Sequence, residues 1–263
     1  MARTIKLTAS MIRAYKSCPK LFQFQYIDML KPVARSEALE IGSSYHDHVE
    51  RILKREERLA STDLPGIMAD AFDRFIPWKN WDVAEVEKEF RIHESYGLWM
   101  LGKIDAICAD GTPIEHKTTR DAIDEKYVNK LAWDDQVSYY LLALSKKRNS
   151  PVTRTIYTAC QKPTIRLKQN ETEDQYLERV REWYDETKVR TFTVVRTAKE
   201  LEDKEREVRD IAREIRNRRH WYRNPSHCSI VGCAFSSICL DYDPEMLMGF
   251  ERKERMSEEL CNF

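Results

Sequence analysis

The stretch from residue 83 to residue 119 constrains the fold more than any other part of the chain. Here VEKEFRIHE and LWMLGKIDAIC are separated by Ser95-Tyr96-Gly97, and TPIEHKTT follows Asp110-Gly111. Runs rich in β-branched and aromatic residues and bounded by turn residues read as strands, and connections this short join antiparallel neighbours. The spacing predicts a three-stranded antiparallel meander. Side chains alternate faces along a strand, so Glu115 and Lys117 share one face while Ile114 and His116 take the other. Asp105 lies on the preceding strand, and its facing depends on the turn. A strict two-residue loop at Asp110-Gly111 sets it on the face opposite Glu115. A three-residue loop of Ala109, Asp110 and a left-handed Gly111, or a bulge, brings it directly across from Glu115.

Two carboxylates that converge in this way repel unless a cation lies between them, and hard oxygen ligands with open positions suit Mg²⁺ or Mn²⁺. Such an ion polarises a phosphate and lowers the pKa of a bound water. A lysine beside it can orient that water and stabilise the charge that develops. The chemistry is phosphodiester hydrolysis, with Asp105, Glu115 and Lys117 as the candidate catalytic residues. D-x9-E-x-K is a loose pattern, however. A surface hairpin making weak cross-strand pairs fits it as well in a chain with 44 acidic and 44 basic residues.

The opening LTASMIRAYKSCPKLFQFQYIDML reads as two short helices meeting near Cys18-Pro19, with Thr8 and Ser10 able to cap the first. Residues 38–60 read as a helix entered through Gly42-Ser43-Ser44, with Tyr45, Val49, Ile52 and Leu53 on its apolar face. Residues 61–82 read as helical and irregular, and 121–147 as an amphipathic helical region. TRTIYTAC and TIRLKQ read as two further strands. Thr172 with Gln175, and Thr197 with Glu200, have capping-box spacing ahead of helices running from Tyr176 to Lys188 and from Glu200 to Trp221. The last of these is a charge run, best read as a solvated face.

At 263 residues, 42% hydrophobic and 33% charged with only seven glycines, the chain describes an ordered, helix-rich protein with one large domain. Balanced charge removes any bulk electrostatic argument for nucleic-acid binding, so contact with DNA must come from a local patch. No segment has the unbroken apolar length of a membrane span, and MARTIKLTAS lacks the apolar stretch of a secretory signal. A cytoplasmic location is expected. Seven cysteines in such a chain point to metal ligands or buried apolar positions rather than to disulfides. Cys228, Cys233 and Cys239 cluster in HCSIVGCAFSSIC, which is hard to explain as core filling. Cys108 and Cys160 lie in apolar strands and are expected to be buried, and Cys261 sits in a tail.

The run GKIDAI followed by PIEHKTT resembles two motifs of PD-(D/E)XK nucleases, and the company it keeps resembles their RecB-like exonuclease group. LTASMIRAYKSCPKLFQFQYI is similar to that group's N-terminal motif, IGSSYH to its Gly-x-x-x-His motif, and DDQVSYYLLAL to its Gln-x-x-x-Tyr helix. The matches occur in the family's order over about residues 7–140. The resemblance implies that His46, Asp105, Glu115 and the main-chain carbonyl of His116 ligate the metal while Lys117 serves the water. Gln136 and Tyr140, four apart on one helical face, would contact DNA or brace the site. His48 and the His116 ring are left as ordinary structural histidines.

The cysteines extend the resemblance to an iron–sulfur subgroup that includes AddB-type enzymes and the CRISPR-associated four-cysteine exonucleases. There, one N-terminal and three C-terminal cysteines hold a [4Fe–4S] cluster, which implies Cys18, Cys228, Cys233 and Cys239 here. Cys228 and Cys233 enclose four residues where the family usually has two. Zinc tolerates that spacing and is the runner-up, with His227 a substitute ligand.

The expected fold is therefore a single α/β nuclease domain over residues 1–263. It has a restriction-endonuclease-like core with a mixed central sheet flanked by helices, a helical insertion at 47–85, and a C-terminal segment at 222–263 closing onto Cys18. The expected function is a Mg²⁺- or Mn²⁺-dependent DNA exonuclease acting on single-stranded ends, in bacterial or phage recombination, repair or CRISPR-adaptation-like processing. No G-x-x-x-x-G-K-[ST] occurs in the sequence, so a helicase or recombination partner would be a separate chain. Two other readings remain: a non-catalytic DNA-end-binding or assembly subunit that keeps the fold and cluster, and a zinc-stapled helical scaffold without a nuclease site.

Overall fold

The structure is a computed structural model that describes residues 4–34, 36–57, 61–240, 244–256 and 260. In chain order its elements are β1 (Ile5–Leu7), α1 (Ala9–Ser17), α2 (Pro19–Phe22), β2 (Leu30–Pro32), α3 (Glu37–Leu53), α4 (Leu64–Phe75), β3 (Val83–His93), β4 (Leu98–Cys108) and β5 (Pro113–Thr119). There follow α5 (Glu125–Leu131), α6 (Asp135–Arg148), β6 (Arg154–Gln161), α7 (Glu173–Trp183), β7 (Val189–Val195), α8 (Ala198–Asn217), α9 (Pro225–Val231), α10 (Ser236–Leu240) and β8 (Phe250–Arg252). The main sheet has the order β1-β4-β5-β6-β7, with β3 also paired to β4. It is mixed: β4–β5 and β6–β7 are antiparallel, β1–β4 and β5–β6 parallel. This is the α/β architecture expected from the sequence. Among the described residues no helix is long and apolar enough to cross a membrane.

Two compact units divide the chain. The first comprises Met1–Arg35, Glu89–Lys103 and Lys199–Phe263. Thr8 caps α1, its hydroxyl accepting the Met11 N–H at 3.2 Å. Cys18 is extended, and Pro19 opens α2, where its missing N–H costs nothing. The N-terminal helices are tied to the chain's C-terminal part. The Lys20 N–H donates to the Tyr222 carbonyl at 3.0 Å, and the Asn224 side chain donates to the Ser17 carbonyl at 2.7 Å. Phe24 stacks on Phe235, which stacks in turn on Phe250, and β2 pairs antiparallel with β8. Helix α8 buries Leu201, Val208, Ile211, Ala212 and Ile215 and lines its outer surface with ion pairs such as Arg213–Asp210. Its charge run is a solvated face, apart from Lys204, which is buried and bonded to Glu207.

The second unit, Ser36–Lys88 with Ile104–Ala198, contains the candidate site. Its core joins Tyr45, Val49 and Ile52 of α3, Ile67, Met68 and Phe72 of α4, Ala106 and Ile114 of the sheet, and Leu177 and Val180 of α7. Burying a side chain of this size contributes about 1.5–3 kcal/mol. The capping box at Thr172 and Gln175 forms with both of its hydrogen bonds.

Several boundaries differ from the sequence reading. Helix α3 begins at Glu37, so Gly42-Ser43-Ser44 lie inside it. Glu37 and Glu40 in its first turn favour the positive helix end, which offsets the roughly 1 kcal/mol that an internal glycine costs. The segment TIRLKQ is irregular rather than a strand. Both edges of β6 are already taken, by β5 and by β7, and VRTFTVV at β7 is the strand the sequence reading overlooked. Helix α7 stops at Trp183, where Tyr184 turns extended, and α8 stops at Asn217. Cys160 is fully buried as expected, whereas Cys108 is only partly covered. Cys261 lies outside the described residues.

Candidate active site

The turn between β4 and β5 is the three-residue form. The Cys108 N–H donates to the Thr112 carbonyl at 2.9 Å, the Gly111 N–H donates to the Cys108 carbonyl at 2.7 Å, and Gly111 is left-handed at φ 82°. Pairing continues through Ile107↔Pro113 and Ala106↔Ile114. The next step in this register sets Asp105 across from Glu115, and the contacts agree: Asp105 Oδ2 accepts the His116 main-chain N–H at 2.7 Å.

Glu115 is buried, with 3% of its surface exposed. Its Oε1 is ion-paired with Lys117 Nζ and accepts from Gln136 Nε2 at 2.8 Å. Its Oε2 is buried with no hydrogen-bond partner. Gln136 Oε1 accepts from Lys117 at 3.0 Å, and its Nε2 also donates to the Tyr140 hydroxyl at 3.0 Å. One amide therefore holds both the acid and the lysine. Asp134 caps α6, accepting from the N–H groups of Gln136 and Val137, and fixes where Gln136 starts. His46, from α3, faces Asp105 with Nδ1 3.5 Å from Oδ1.

The charges reinforce one another. Burial disfavours ionisation of Asp105, yet the neighbouring His46, His116 and Lys117 hold its carboxyl far below the usual range. Glu115 goes the other way: burial pushes it up to about 7, outweighing the adjacent ammonium. Burial works to lower Lys117, but Glu115 and Asp105 overcome it and keep the ammonium charged. His46 is likewise raised, because Asp105 outweighs burial. The His116 ring is buried, with Nδ1 at 2.6 Å from Thr158 Oγ1, and burial lowers it to about 4.

Sequence reasoning missed two residues here. Among the described residues, the three-ligand group whose donor atoms all lie within 4.8 Å of one another is His46, Glu87 and Asp105. Glu87 comes from β3, where Glu85, Glu87 and Glu89 alternate in a charged strand and nothing in the pattern singles out the middle one. Arg196 was also missed. It is buried and donates to Ser138 Oγ at 2.8 Å and to the carbonyls of Leu131 and Asp134 at 2.8 and 3.2 Å, fastening the α5–α6 turn.

The four cysteines lie in the first unit. Cys18, Cys228, Cys233 and Cys239 line one cavity with Leu21, Phe24 and Arg223, and His227 is not among its lining residues. Burial and the three other thiols raise the Cys233 thiol.

Residues 6–240 match the sequence profile of the PD-(D/E)XK nuclease superfamily. The chain belongs to that superfamily. Among solved structures it is similar to a proposed exonuclease from Eubacterium rectale, at 10% identity and a TM-score of 0.55 over 89% of this chain and 92% of that one. A phage-related exonuclease from Haemophilus somnus matches at 10% identity and a TM-score of 0.40 over 81% of this chain and 94% of that one. At 10% identity the likeness to the first of these is one of fold. No curated protein matches the chain in sequence.

Proposed function

We propose that the protein is a Mg²⁺- or Mn²⁺-dependent deoxyribonuclease, an exonuclease acting on single-stranded DNA ends, with residues 1–263 forming one nuclease domain. The observation that carries this reading is the site at the β4–β5 turn. Asp105 and Glu115 converge beside a charged Lys117, and Glu115 Oε2 is buried without a partner. An orphaned carboxylate oxygen is costly in a dry site and fits a missing cation. Asp105, Glu115, His46 and the main-chain carbonyl of His116 would hold that ion. When bound, it supplies Lewis-acid polarisation of the phosphate and a more acidic water.

The chain's own groups do the remaining work. Lys117 Nζ, fixed by Glu115 and by Gln136 Oε1, presents a permanent positive charge to the phosphate oxygens as negative charge builds on them. Gln136 holds the Glu115 carboxylate in one rotamer, so little reorganisation is needed at the moment of reaction. DNA recombination, repair or CRISPR-adaptation-like processing suits such an activity, with any helicase or recombination partner on a separate chain.

The same reading assigns a [4Fe–4S] cluster to Cys18, Cys228, Cys233 and Cys239. Four thiols on one cavity are a fitting donor set.

Labelled single-stranded DNA incubated with Mn²⁺ and either the wild type or Lys117→Ala tests the enzyme. Hydrolysis by the wild type alone is expected, and substrates blocked at one end should be spared from that end. Equal DNA loss in both samples rules the mechanism out. Anaerobic purification with iron and sulfide analysis tests the cluster separately: about four of each per chain is expected, and a colourless protein holding one zinc overturns the assignment.

A further inference from the structure

Of the six tryptophans, five meet another ring or a cation, as Trp221 meets Phe22 at 5.6 Å and Trp99 meets the Arg91 guanidinium at 4.3 Å. Trp133 is the sixth. It is 85% exposed, and among the described residues its indole makes no hydrogen bond and no ring contact. An indole combines a large apolar face with one N–H donor, and folded chains ordinarily use both.

The side chain is exposed on a backbone that is firmly held. The Trp133 N–H donates to the Lys130 carbonyl at 3.0 Å, and the Asp134 N–H donates to the Leu131 carbonyl at 3.3 Å. Buried Arg196 grips the carbonyls of Leu131 and Asp134, on either side of Trp133. Asp134 then caps α6, and Gln136 holds Glu115 and Lys117. Three residues of chain span at most about 10 Å. Trp133 therefore starts close to the residue that holds both catalytic groups, on the same clamped turn. With only two side-chain torsions to fix, its ring meets a flat ligand at low entropic cost.

The surrounding charge narrows what that ligand can be. Asp134 and Asp135 follow directly, and Asp124 and Glu125 begin α5. Against them stand Lys126 and Lys130, the latter already paired with Asp121. A backbone phosphate gains little here. A base is uncharged and flat, and its face can lie on an indole whatever its sequence. Stacked neighbours cover base faces in a duplex, whereas a single strand leaves them open.

We propose that Trp133 is a stacking platform for an unpaired base of the DNA strand, near the bond that is cut, and a residue by which the site prefers single strands. The inference rests on the single-stranded reading of the site and adds to it a residue outside the motifs.

Binding of a fluorescently labelled thymidine oligonucleotide in Ca²⁺, with the strand shown intact on a gel, tests this by anisotropy. Trp133→Ala should bind about 5–150-fold more weakly, the range for losing one base stack. It should melt where the wild type does, since the indole is exposed. Trp133→Phe should recover most of the affinity and Trp133→Leu little, because leucine offers apolar surface without a ring face. Removing one base at successive positions of the strand locates the contact. At one position the wild type should lose the same factor and Trp133→Ala should lose none. Blunt duplex should bind equally to both. A wild type that binds no oligonucleotide, or a Trp133→Ala that binds it as tightly, overturns the inference, as does an equal loss on duplex. The nuclease reading fails separately: if Trp133→Ala weakens binding but the wild type cuts nothing in Mn²⁺, the platform stands and the activity falls.

Discussion

Gln136 donates from Nε2 to Glu115 Oε1 at 2.8 Å while its own carbonyl oxygen accepts from Lys117. The amide can do both because it carries a donor and an acceptor a short distance apart. Gln136→Leu should therefore lower metal affinity or turnover by about 10–100-fold, the usual effect of losing an outer-shell partner. Turnover on single-stranded DNA across a Mn²⁺ titration checks it. Gln136→Glu should be worse, since it adds a third carboxylate and offers no donor to Glu115. Unchanged kinetics in both would mean that Lys117 and Glu115 orient each other unaided.

Gly111 sets the register that brings Asp105 to Glu115. Its φ of 82° is the main obstacle to a side chain. A Cβ would also meet the guanidinium of Arg148 within 1.9 Å, but that group ends a flexible chain and can move. Gly111→Ala should cost about 1–2 kcal/mol, roughly 2–8 °C in melting temperature. Gly111→Asn should recover part of it, because asparagine enters the left-handed region more readily. An alanine variant as stable and active as the wild type would show that the hairpin keeps its register without the glycine.

What the sequence revealed and what it hid separate along physical lines. Asp105, Glu115 and Lys117 were readable because strand alternation and a turn glycine are local, so spacing alone reduced their convergence to one question about loop length. The capping box at Thr172 was readable for the same reason. Strand β7 was not, because β-branched residues after a helix look like a continuing segment until β6 supplies an open edge. TIRLKQ is the converse case, with suitable residues but no free partner. Glu87 and Arg196 depend on tertiary position: one on a backbone kink within a strand of alternating glutamates, the other on two carbonyls more than sixty residues away in sequence.

Arg196 should matter for function without touching the reacting groups. Its guanidinium satisfies the carbonyls of Leu131 and Asp134 at the turn from which α6 carries Gln136 toward the site. Arg196→Met removes the charged donor from both carbonyls, the one at Leu131 buried, and should cost about 2–4 kcal/mol in urea unfolding. Arg196→Lys should recover little, since an ammonium cannot reproduce the fork. Below the melting temperature, turnover should fall in both variants while the number of bound Mn²⁺ ions stays that of the wild type. A loss of ions would place Arg196 in a different role.

Glu115 makes the site's metal binding depend on pH in a direction that can be worked out. Burial raises its carboxyl from 4.5 to about 7 in the folded, metal-free protein. Between those values the folded state holds a proton that the unfolded state has released. This group's contribution to stability is thus fully present below 4.5 and is lost as pH rises through 7. A cation at Glu115 needs the carboxylate, so binding must expel that proton at any pH below 7. Mn²⁺ affinity should then rise by at least about tenfold per pH unit towards neutrality, and more steeply where His46, whose imidazole is raised by Asp105 and must also lose its proton to bind the ion, is still protonated. Asp105, held ionised throughout this range, adds no slope of its own. Calorimetry at pH 6 in buffers of different ionisation enthalpy should register more than one proton released per ion bound, from Glu115 and His46 together, and Glu115→Gln should lower the release by close to one. If Glu115→Gln leaves the proton release unchanged, the Glu115 carboxyl is already ionised in the metal-free site, and its pairing with Lys117 outweighs its burial.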